Sequence, residues 1–322
     1  MRQVRWGILG AAKFAREHLA PAIVLAPGGT LAALATTSAD KAAPFTELVP
    51  GLRVHSRYED LLADPDIDAV HVPLPNALHV AWTLKALAAG KHVLCEKPMA
   101  MQAAEFDALI AARDRAGRLA AEAFMIVHHP QWARARQLLA DGAIGRLARI
   151  DATFTFNNRD QANIRNQAAM GGGGLRDIGV YVMGCARFAT GLEPSAVQAR
   201  LRWEHGVDTH AAISARFGDA EYAAFTSIRM HPRQEVCFHG EDGLLRLPVP
   251  FNARVFGEAR LELHRGTETQ VERWPAANHY ELQVAAFNRS VLAGVPYPCP
   301  LEFSRGTQRM MDEAFASAGT PG

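Results

Sequence analysis

Arg5-Trp6-Gly7-Ile8-Leu9-Gly10-Ala11-Ala12-Lys13-Phe14-Ala15 reads as a strand, a turn of small residues and the start of a helix. A dinucleotide-binding sheet carries its G-x-G-x-x-G fingerprint in that setting, after the first strand. Here the pattern is Gly10-x-Ala12-x-x-Ala15, with alanine at two of the three glycine positions. Gly10 keeps the tight turn. Ala12 adds one methyl where backbone approaches a pyrophosphate, and Ala15 still lets the helix pack closely on the strand. Amides at the helix start then face phosphates. Taken alone, a ligand-free strand–helix turn fits these residues about as well, and the position on the first strand favours the nucleotide.

The residues that follow repeat the plan. A strand is expected over 31–36, a helix over 40–47, and a strand over 67–72 after Asp64-Pro65. Val80, Leu84 and Leu87 share one helical face that Gly90 closes. His92-Val93-Leu94-Cys95 is a buried strand ending at Glu96, and Phe106, Leu109 and Ile110 mark another helix before a strand over 119–124. Strands and helices alternating at this length predict a parallel, doubly wound sheet filling a domain over residues 1–124.

Ligands of such sheets sit at the carboxyl ends of strands. Glu96-Lys97-Pro98 lies there. A lysine pinned between a carboxylate and a proline, and partly desolvated, polarises a hydroxyl or carbonyl. Its plain alternative is a loop lysine with no role. Pro73-Leu74-Pro75-Asn76-Ala77-Leu78-His79 follows another strand end. It is either ordinary loop chemistry or a loop against a nicotinamide. The second strand ends Thr36-Thr37-Ser38, with no acid before Asp40, which reads as a helix cap. A carboxylate at that end holds the ribose 2′-hydroxyl of NAD. Without one a 2′-phosphate is accommodated, with Ser38 and Lys41 as its candidates, so NADP is expected ahead of NAD.

After Pro130 the pattern changes. Trp132, Ala135, Leu138 and Leu139 make a short helix. Residues 148–157, 197–204 and 211–217 then alternate apolar with polar, and shorter strands are expected over 221–228, 235–239, 244–247 and 261–264. Glu241-Asp242-Gly243 reads as a hairpin turn, and helices over 280–292 and 303–316 close the chain. These elements predict an α+β domain over 125–322, with an open, mostly antiparallel sheet covered on one face.

Within it, Gly171-Gly172-Gly173-Gly174-Leu175-Arg176-Asp177-Ile178-Gly179-Val180-Tyr181 is a glycine loop leading into a helix. Spacing of four sets Asp177 and Tyr181 on one face. An acid and a phenol near a lysine make a proton-transfer set; a flexible loop with a capping Asp is the bland alternative. Asn163-Ile164-Arg165 offers an arginine for an anion or hydroxyl. Adjacent His128 and His129 point to opposite sides of a strand, with no acid or cysteine spaced to join them, so no metal site is expected.

A chain of 322 residues fits two domains. Net charge of +1 with no basic run gives no electrostatic case for nucleic acid or an anionic membrane. No apolar run is long enough to span a bilayer. Cys95, Cys185, Cys237 and Cys299 are scattered, which suits free thiols in a reducing compartment. A strand starting near Val4 leaves no room for a signal peptide, and the cytoplasm is the expected location.

Together, Gly7-Ile8-Leu9-Gly10-Ala11-Ala12, Pro75-Asn76-x-x-His79, Glu96-Lys97-Pro98 and Asp177-Ile178-Gly179-Val180-Tyr181 resemble the glucose–fructose oxidoreductase / inositol dehydrogenase / MocA (Gfo/Idh/MocA) family across nearly the whole chain. Tyr181, where inositol dehydrogenase-like members carry histidine, is similar to the branch of dimeric dihydrodiol dehydrogenases and aldose 1-dehydrogenases. The resemblance implies NAD(P) held by Gly10, Ala12, Lys13, Phe14, Thr36, Thr37, Ser38, Pro73, Leu74, Asn76, His79, Glu96 and Lys97, beside Lys41 from the strand-end reading above. It implies a Lys97–Pro98 bond that is often cis, a catalytic lysine at Lys97, an acid/base tyrosine at Tyr181 and an aspartate at Asp177. Substrate contacts from Asn163, Arg165, Asp177 and Tyr181 complete the expected site. Thr37 and Val127 depart from the pattern, standing where many relatives carry arginine.

The expected activity is NAD(P)-dependent hydride transfer at a hydroxyl or carbonyl carbon of a sugar, diol or related polyol. Tyr181 then exchanges a proton with the substrate oxygen while Lys97 supports it. A phenol must lose about 4 kcal/mol of its preference for the protonated form to act near neutrality, and a close ammonium in a dry cleft supplies that. Two alternatives stay open: a cofactor-binding sensor without turnover, and a nonredox lyase or glycosidase using held NAD. The resemblance also implies a homodimer or homotetramer through the open sheet.

Overall fold

The computed structural model of the protein describes residues 2–319. These divide into two compact units. The first comprises 2–100, Ala104–Met125 and His279–Ser304; the second comprises Met101–Ala103, Ile126–Asn278 and 305–319.

The first unit holds a six-stranded sheet of β1 (Val4–Leu9), β2 (Gly29–Ala35), β3 (Arg53–His55), β4 (Ala69–Val72), β5 (His92–Cys95) and β6 (Ala120–Glu122), in the order β3-β2-β1-β4-β5-β6. Every neighbouring pair is parallel. The order reverses at β1, so a crevice opens where β1 and β4 part at their carboxyl ends. The central strands β1, β4, β5 and the short β6 are buried on both faces, as parallel strands under helices must be. The helix His279–Ala293 belongs here. Trp6 of β1 packs on Phe287 with ring centroids 4.8 Å apart, and its indole donates to Asn288 Oδ1 at 2.9 Å. Asn288 in turn donates to Pro27 O at 3.0 Å, so one buried amide satisfies both an indole and a loop carbonyl.

The second unit is built on an eight-stranded sheet. Its strands are β7 (Leu147–Asn157), β8 (Pro194–Glu204), β9 (Val207–Phe217), β10 (Ala220–Ser227), β11 (Arg229–Gly240), β12 (Leu244–Leu247), β13 (Ala259–Arg265) and β14 (Glu268–Trp274). The order is β14-β13-β12-β11-β7-β10-β9-β8, antiparallel everywhere except between β7 and β10. Inward residues such as Ile150, Ala152, Phe154, Ile213, Tyr222, Val236 and Phe238 are buried, while Arg149, Glu221, Arg216 and Arg233 stand exposed between them. The helix Val180–Thr190 lies on the buried face, where Tyr222 of β10 donates its hydroxyl to Val182 O at 2.9 Å. No helix among the described residues is long and apolar enough to cross a membrane.

The parallel sheet and the mostly antiparallel sheet are both as the alternation predicts. Two strands escape it. β3 is three residues long and mostly exposed, and β14 is an outer strand with no buried residue. Neither has an apolar face to betray it. β11 is also longer than the expected 235–239, because its register shifts between Arg229 and Arg233. That irregularity holds Pro232, which lacks the amide a regular ladder needs.

Candidate functional site

Three strand ends form one row. Val72, Cys95 and Glu122 are register partners across β4, β5 and β6. The chain after Cys95 therefore leaves the sheet between two others, and both tie it down. On the β4 side, His79 Nδ1 lies 2.8 Å from Pro98 O and its Nε2 2.6 Å from Leu74 O. On the β6 side, Glu122 Oε1 accepts the Met99 amide at 2.9 Å. Lys97, partly buried, sits in this pinned turn ahead of a cis Lys97–Pro98 bond. His79 is fully buried, and burial, then the charge of Lys97, hold it below the usual imidazole range. Both its ring nitrogens face backbone, so it joins the 73–79 loop to the lysine turn.

Glu96 has a neighbour that motif reading did not single out. His71 of β4 is fully buried, and burial pushes it down to about 3. The ring is neutral at physiological pH. Its Nδ1 is 3.1 Å from Leu94 O, a carbonyl, and so must carry the proton. That leaves Nε2 as a lone pair 3.7 Å from Glu96 Oε1.

The tight turn expected at Gly10 is present. The Gly10 φ of +103° is one that only glycine adopts freely. A Cβ there would meet Leu74 at 3.1 Å and the Tyr58 hydroxyl at 3.2 Å. Glycine here leaves room between the turn and the Leu74 and Tyr58 side chains just ahead of a helix start, a setting that suits a pyrophosphate. The first helical turn, Ala15–Leu19, is a π turn, which sequence periodicity does not reveal. At the end of β2, the Thr36 hydroxyl accepts the Ser38 amide at 3.3 Å, and the Ser38 hydroxyl accepts the Lys41 amide at 3.3 Å as the cap of the next helix. Thr37, Lys41 and Lys13 are exposed, while Phe14 is half-buried against Tyr280 with ring centroids 5.5 Å apart.

In the second unit, Arg165, Asp177 and Tyr181 come together. Arg165 Nε donates to Asp177 Oδ2 at 2.5 Å. The Asp177 carboxylate holds Arg165 above the ordinary arginine range, and Tyr181 adds to that pull. Tyr181 is 6% exposed. Its ring lies 5.5 Å from both Phe154 of β7 and Phe251. Phe251 is placed by Trp132, whose indole donates to Pro250 O at 2.7 Å. Asn163 caps the short turn that carries Arg165, accepting the Arg165 amide at 3.1 Å. Leu175–Gly179, which bears Asp177, is again a π turn, feeding the helix Val180–Thr190.

The sequence motifs are matched by whole-chain similarity. Residues 4–124 match a family described as oxidoreductase family, NAD-binding Rossmann fold, and residues 132–246 match the GFO/IDH/MocA C-terminal domain. A dTDP-3,4-didehydro-2,6-dideoxy-alpha-D-glucose 3-reductase from Actinomadura kijaniata is 34% identical over 90% of this chain and 88% of its own. The chain belongs to the Gfo/Idh/MocA oxidoreductase family. Within that family, the D-xylose 1-dehydrogenase (NADP(+)) 2 of Haloferax volcanii is 32% identical over 98% of this chain and 97% of its own. Among solved structures, KijD10, a 3-ketoreductase from Actinomadura kijaniata in complex with NADP and TDP-benzene, is similar with a TM-score of 0.89. It is 30% identical, with 97% of each chain covered. As a Gfo/Idh/MocA protein, this chain is an NAD(P)-dependent oxidoreductase acting on CH–OH and carbonyl groups.

The buried histidines give the protein an acid limit. His71 is held at about 3, and His92 and His129 at about 4, each by burial first, against an ordinary 6.5. Folded values below unfolded ones mean that each contributes stability above the unfolded value and loses it as pH falls toward the folded one. Asp208, raised to about 6 by burial, runs the other way, its contribution being lost as pH rises through that value. With the depressed histidines, His79 among them, outnumbering that one carboxyl, the unfolding midpoint should fall by about 5–10 °C between about pH 7 and about pH 4.5. Scanning calorimetry at constant ionic strength checks this, and a flat or rising midpoint contradicts it.

Proposed function

We propose that this chain moves a hydride between a nicotinamide and a secondary hydroxyl or carbonyl carbon of a sugar, nucleotide-linked sugar or polyol, with NADP as the preferred dinucleotide. The observation that carries the substrate class is the Arg165–Asp177–Tyr181 cluster on its aromatic seat. A carboxylate and a guanidinium present acceptors and donors to several hydroxyls at once, while one phenol is held rigid for the reacting oxygen. Relatives named as sugar reductases and dehydrogenases support the same class.

When bound, the dinucleotide supplies or accepts the hydride. Gly10, Ala12, Lys13 and Phe14 hold its pyrophosphate, the 73–79 loop and Glu96 face its nicotinamide half, and Thr36, Thr37, Ser38 and Lys41 receive its adenosine end. Tyr181 Oη gives a proton to the carbonyl oxygen in reduction and takes it back in oxidation. Lys97 Nζ hydrogen-bonds that oxygen and favours its developing negative charge. Asp177 accepts from a neighbouring substrate hydroxyl, and Arg165, held by Asp177, donates to another, with Asn163 fixing the turn beneath it. A second copy of the chain covers the outer face of the eight-stranded sheet. Its Arg233–Glu235–Arg246–Glu262–Arg260 chain of ion pairs presents both signs of charge to such a partner, which supports a homodimer or homotetramer.

The test is a panel of aldoses, ketosugars, sugar nucleotides and diols, followed by the near-ultraviolet absorbance of NADPH. Turnover of at least one sugar class is expected; binding of NADPH with no turnover of any would favour a sensor. The cofactor preference has its own test. Lys41→Ala should raise KM for NADP about 10-fold and leave KM for NAD unchanged, because only the 2′-phosphate offers a charge for the ammonium. Equal changes in both constants would refute the assignment.

A further inference from the structure

Asp208, at the start of β9, is 1% exposed, and neither motif nor proposed chemistry uses it. A buried carboxylate is costly unless it is well bonded. Its Oδ2 accepts the Leu175 amide at 2.6 Å. Its Oδ1 lies against Gly173, whose φ is +124° and where any Cβ would collide with that oxygen. A Cβ on Gly174 would stand 3.3 Å from Oδ2. The carboxylate therefore occupies the space that side chains would take on the glycine loop. It also bonds the first amide of the helical segment bearing Asp177 and Tyr181. Arg176, between Leu175 and Asp177 in the chain, adds a favourable charge from the same segment.

Two consequences follow from this geometry. The glycine loop is not merely flexible: at Gly173 it is moulded onto a side chain from a strand over thirty positions away in sequence. The segment Leu175–Gly179 is a π turn, and its opening amide is set from outside the helix. Such turns lack the regular ladder that would otherwise fix their phase, so the anchor at Leu175 sets where Asp177 and Tyr181 point.

We propose that Asp208 is a positioning residue, which orients Tyr181 for proton transfer and Asp177 for its substrate hydroxyl by clamping the Leu175 amide and the backbone at Gly173. The proposal rests on the proton-transfer role given above to Tyr181. No dinucleotide contact is assigned to Asp208, so its loss is expected to act on turnover and not on cofactor binding. The expected pattern is a split between constants. Asp208→Ala lowers kcat at least about 30-fold with KM for the dinucleotide within about 3-fold, since small misplacement of a proton donor is costly. Asp208→Asn, which keeps an oxygen acceptor in the same place, restores kcat to within about 5-fold of the parent.

The experiment measures kcat, both KM values and amide hydrogen exchange at Leu175 in the full-length parent, Asp208→Ala and Asp208→Asn proteins. Exchange at Leu175 should be about 10-fold faster in the alanine protein and parent-like in the asparagine protein. A folded alanine protein with kcat within about 3-fold of the parent overturns the proposal, and so does an asparagine protein no better than alanine. Where the alanine protein does not fold, Asp208→Ser takes its place: kcat at least about 10-fold down supports the clamp, and parent-like kcat overturns it. A parent that turns over nothing in the substrate panel counts against the proposed function instead. The exchange rate then decides alone, with an unchanged Leu175 rate in the variant overturning the clamp.

Discussion

Tyr181→Phe is expected to lower kcat by about 1000-fold while dinucleotide affinity stays within about twofold of the parent. The substitution removes one oxygen and keeps the ring. That ring is what Phe154 and Phe251 pack against, so the aromatic seat survives and the protein folds. What is lost is the group proposed to give and take the proton at the substrate oxygen. In reduction, the developing alkoxide must then draw its proton from water, a poorer and less well-placed acid. The check is steady-state kinetics with a verified substrate, beside a direct titration of NADPH. Turnover within about tenfold of the parent would remove Tyr181 from the chemistry.

The second large effect is at Lys97. Lys97→Met keeps most of the side-chain length and removes the charge. The turn around it is held from both sides, by His79 at Pro98 O and by Glu122 at the Met99 amide, so its backbone stays in place. A loss of about 100- to 1000-fold in kcat is expected, the size typical of removing one donor from a developing oxyanion. Affinity for the dinucleotide should change far less, because the proposed pyrophosphate contacts are Gly10 and the amides of the first helix, not Lys97. The two constants are measured on one preparation. A large loss of NADPH affinity with kcat preserved would mark Lys97 as a binding residue only.

Much of this was legible in the residues. The period-two alternation of 148–157 and 211–217 announces strands with one buried face, and β7 and β9 carry it. His92-Val93-Leu94-Cys95 gives β5 to the residue, because a short apolar run bounded by glycine and a charged pair has little else to become. The edges were not legible. Arg53-Val54-His55 forms β3 through backbone pairing with Ala33, Leu34 and Ala35, which its own mostly exposed side chains do not advertise.

The site shows the same division. Arg165 and Asp177 were both readable as candidates, but their ion pair was not. They are joined across a glycine loop whose path depends on groups far along the chain. Glu122 and Asp208 read as ordinary acids near strand ends. Their importance comes from which backbone amide each one receives, Met99 and Leu175, and no periodicity encodes that. His71 looks like one residue of an apolar strand. The hydrogen bond to Leu94 O sets its tautomer and leaves the unprotonated nitrogen on the side of Glu96. The π turns at Ala15–Leu19 and Leu175–Gly179 escape a helical reading because their hydrogen bonds skip one residue further than the pattern assumes.

In the proposed reaction, Lys97 and Tyr181 serve the same substrate oxygen. Single-turnover loss of NADPH absorbance on mixing with a carbonyl substrate tests that most directly, in the parent, Lys97→Met, Tyr181→Phe and the double variant. Groups that act as a unit are not additive, so the double variant should be slower than Tyr181→Phe by no more than about threefold. A double variant whose loss equals the product of the two single losses would mean that the amine and the phenol act independently.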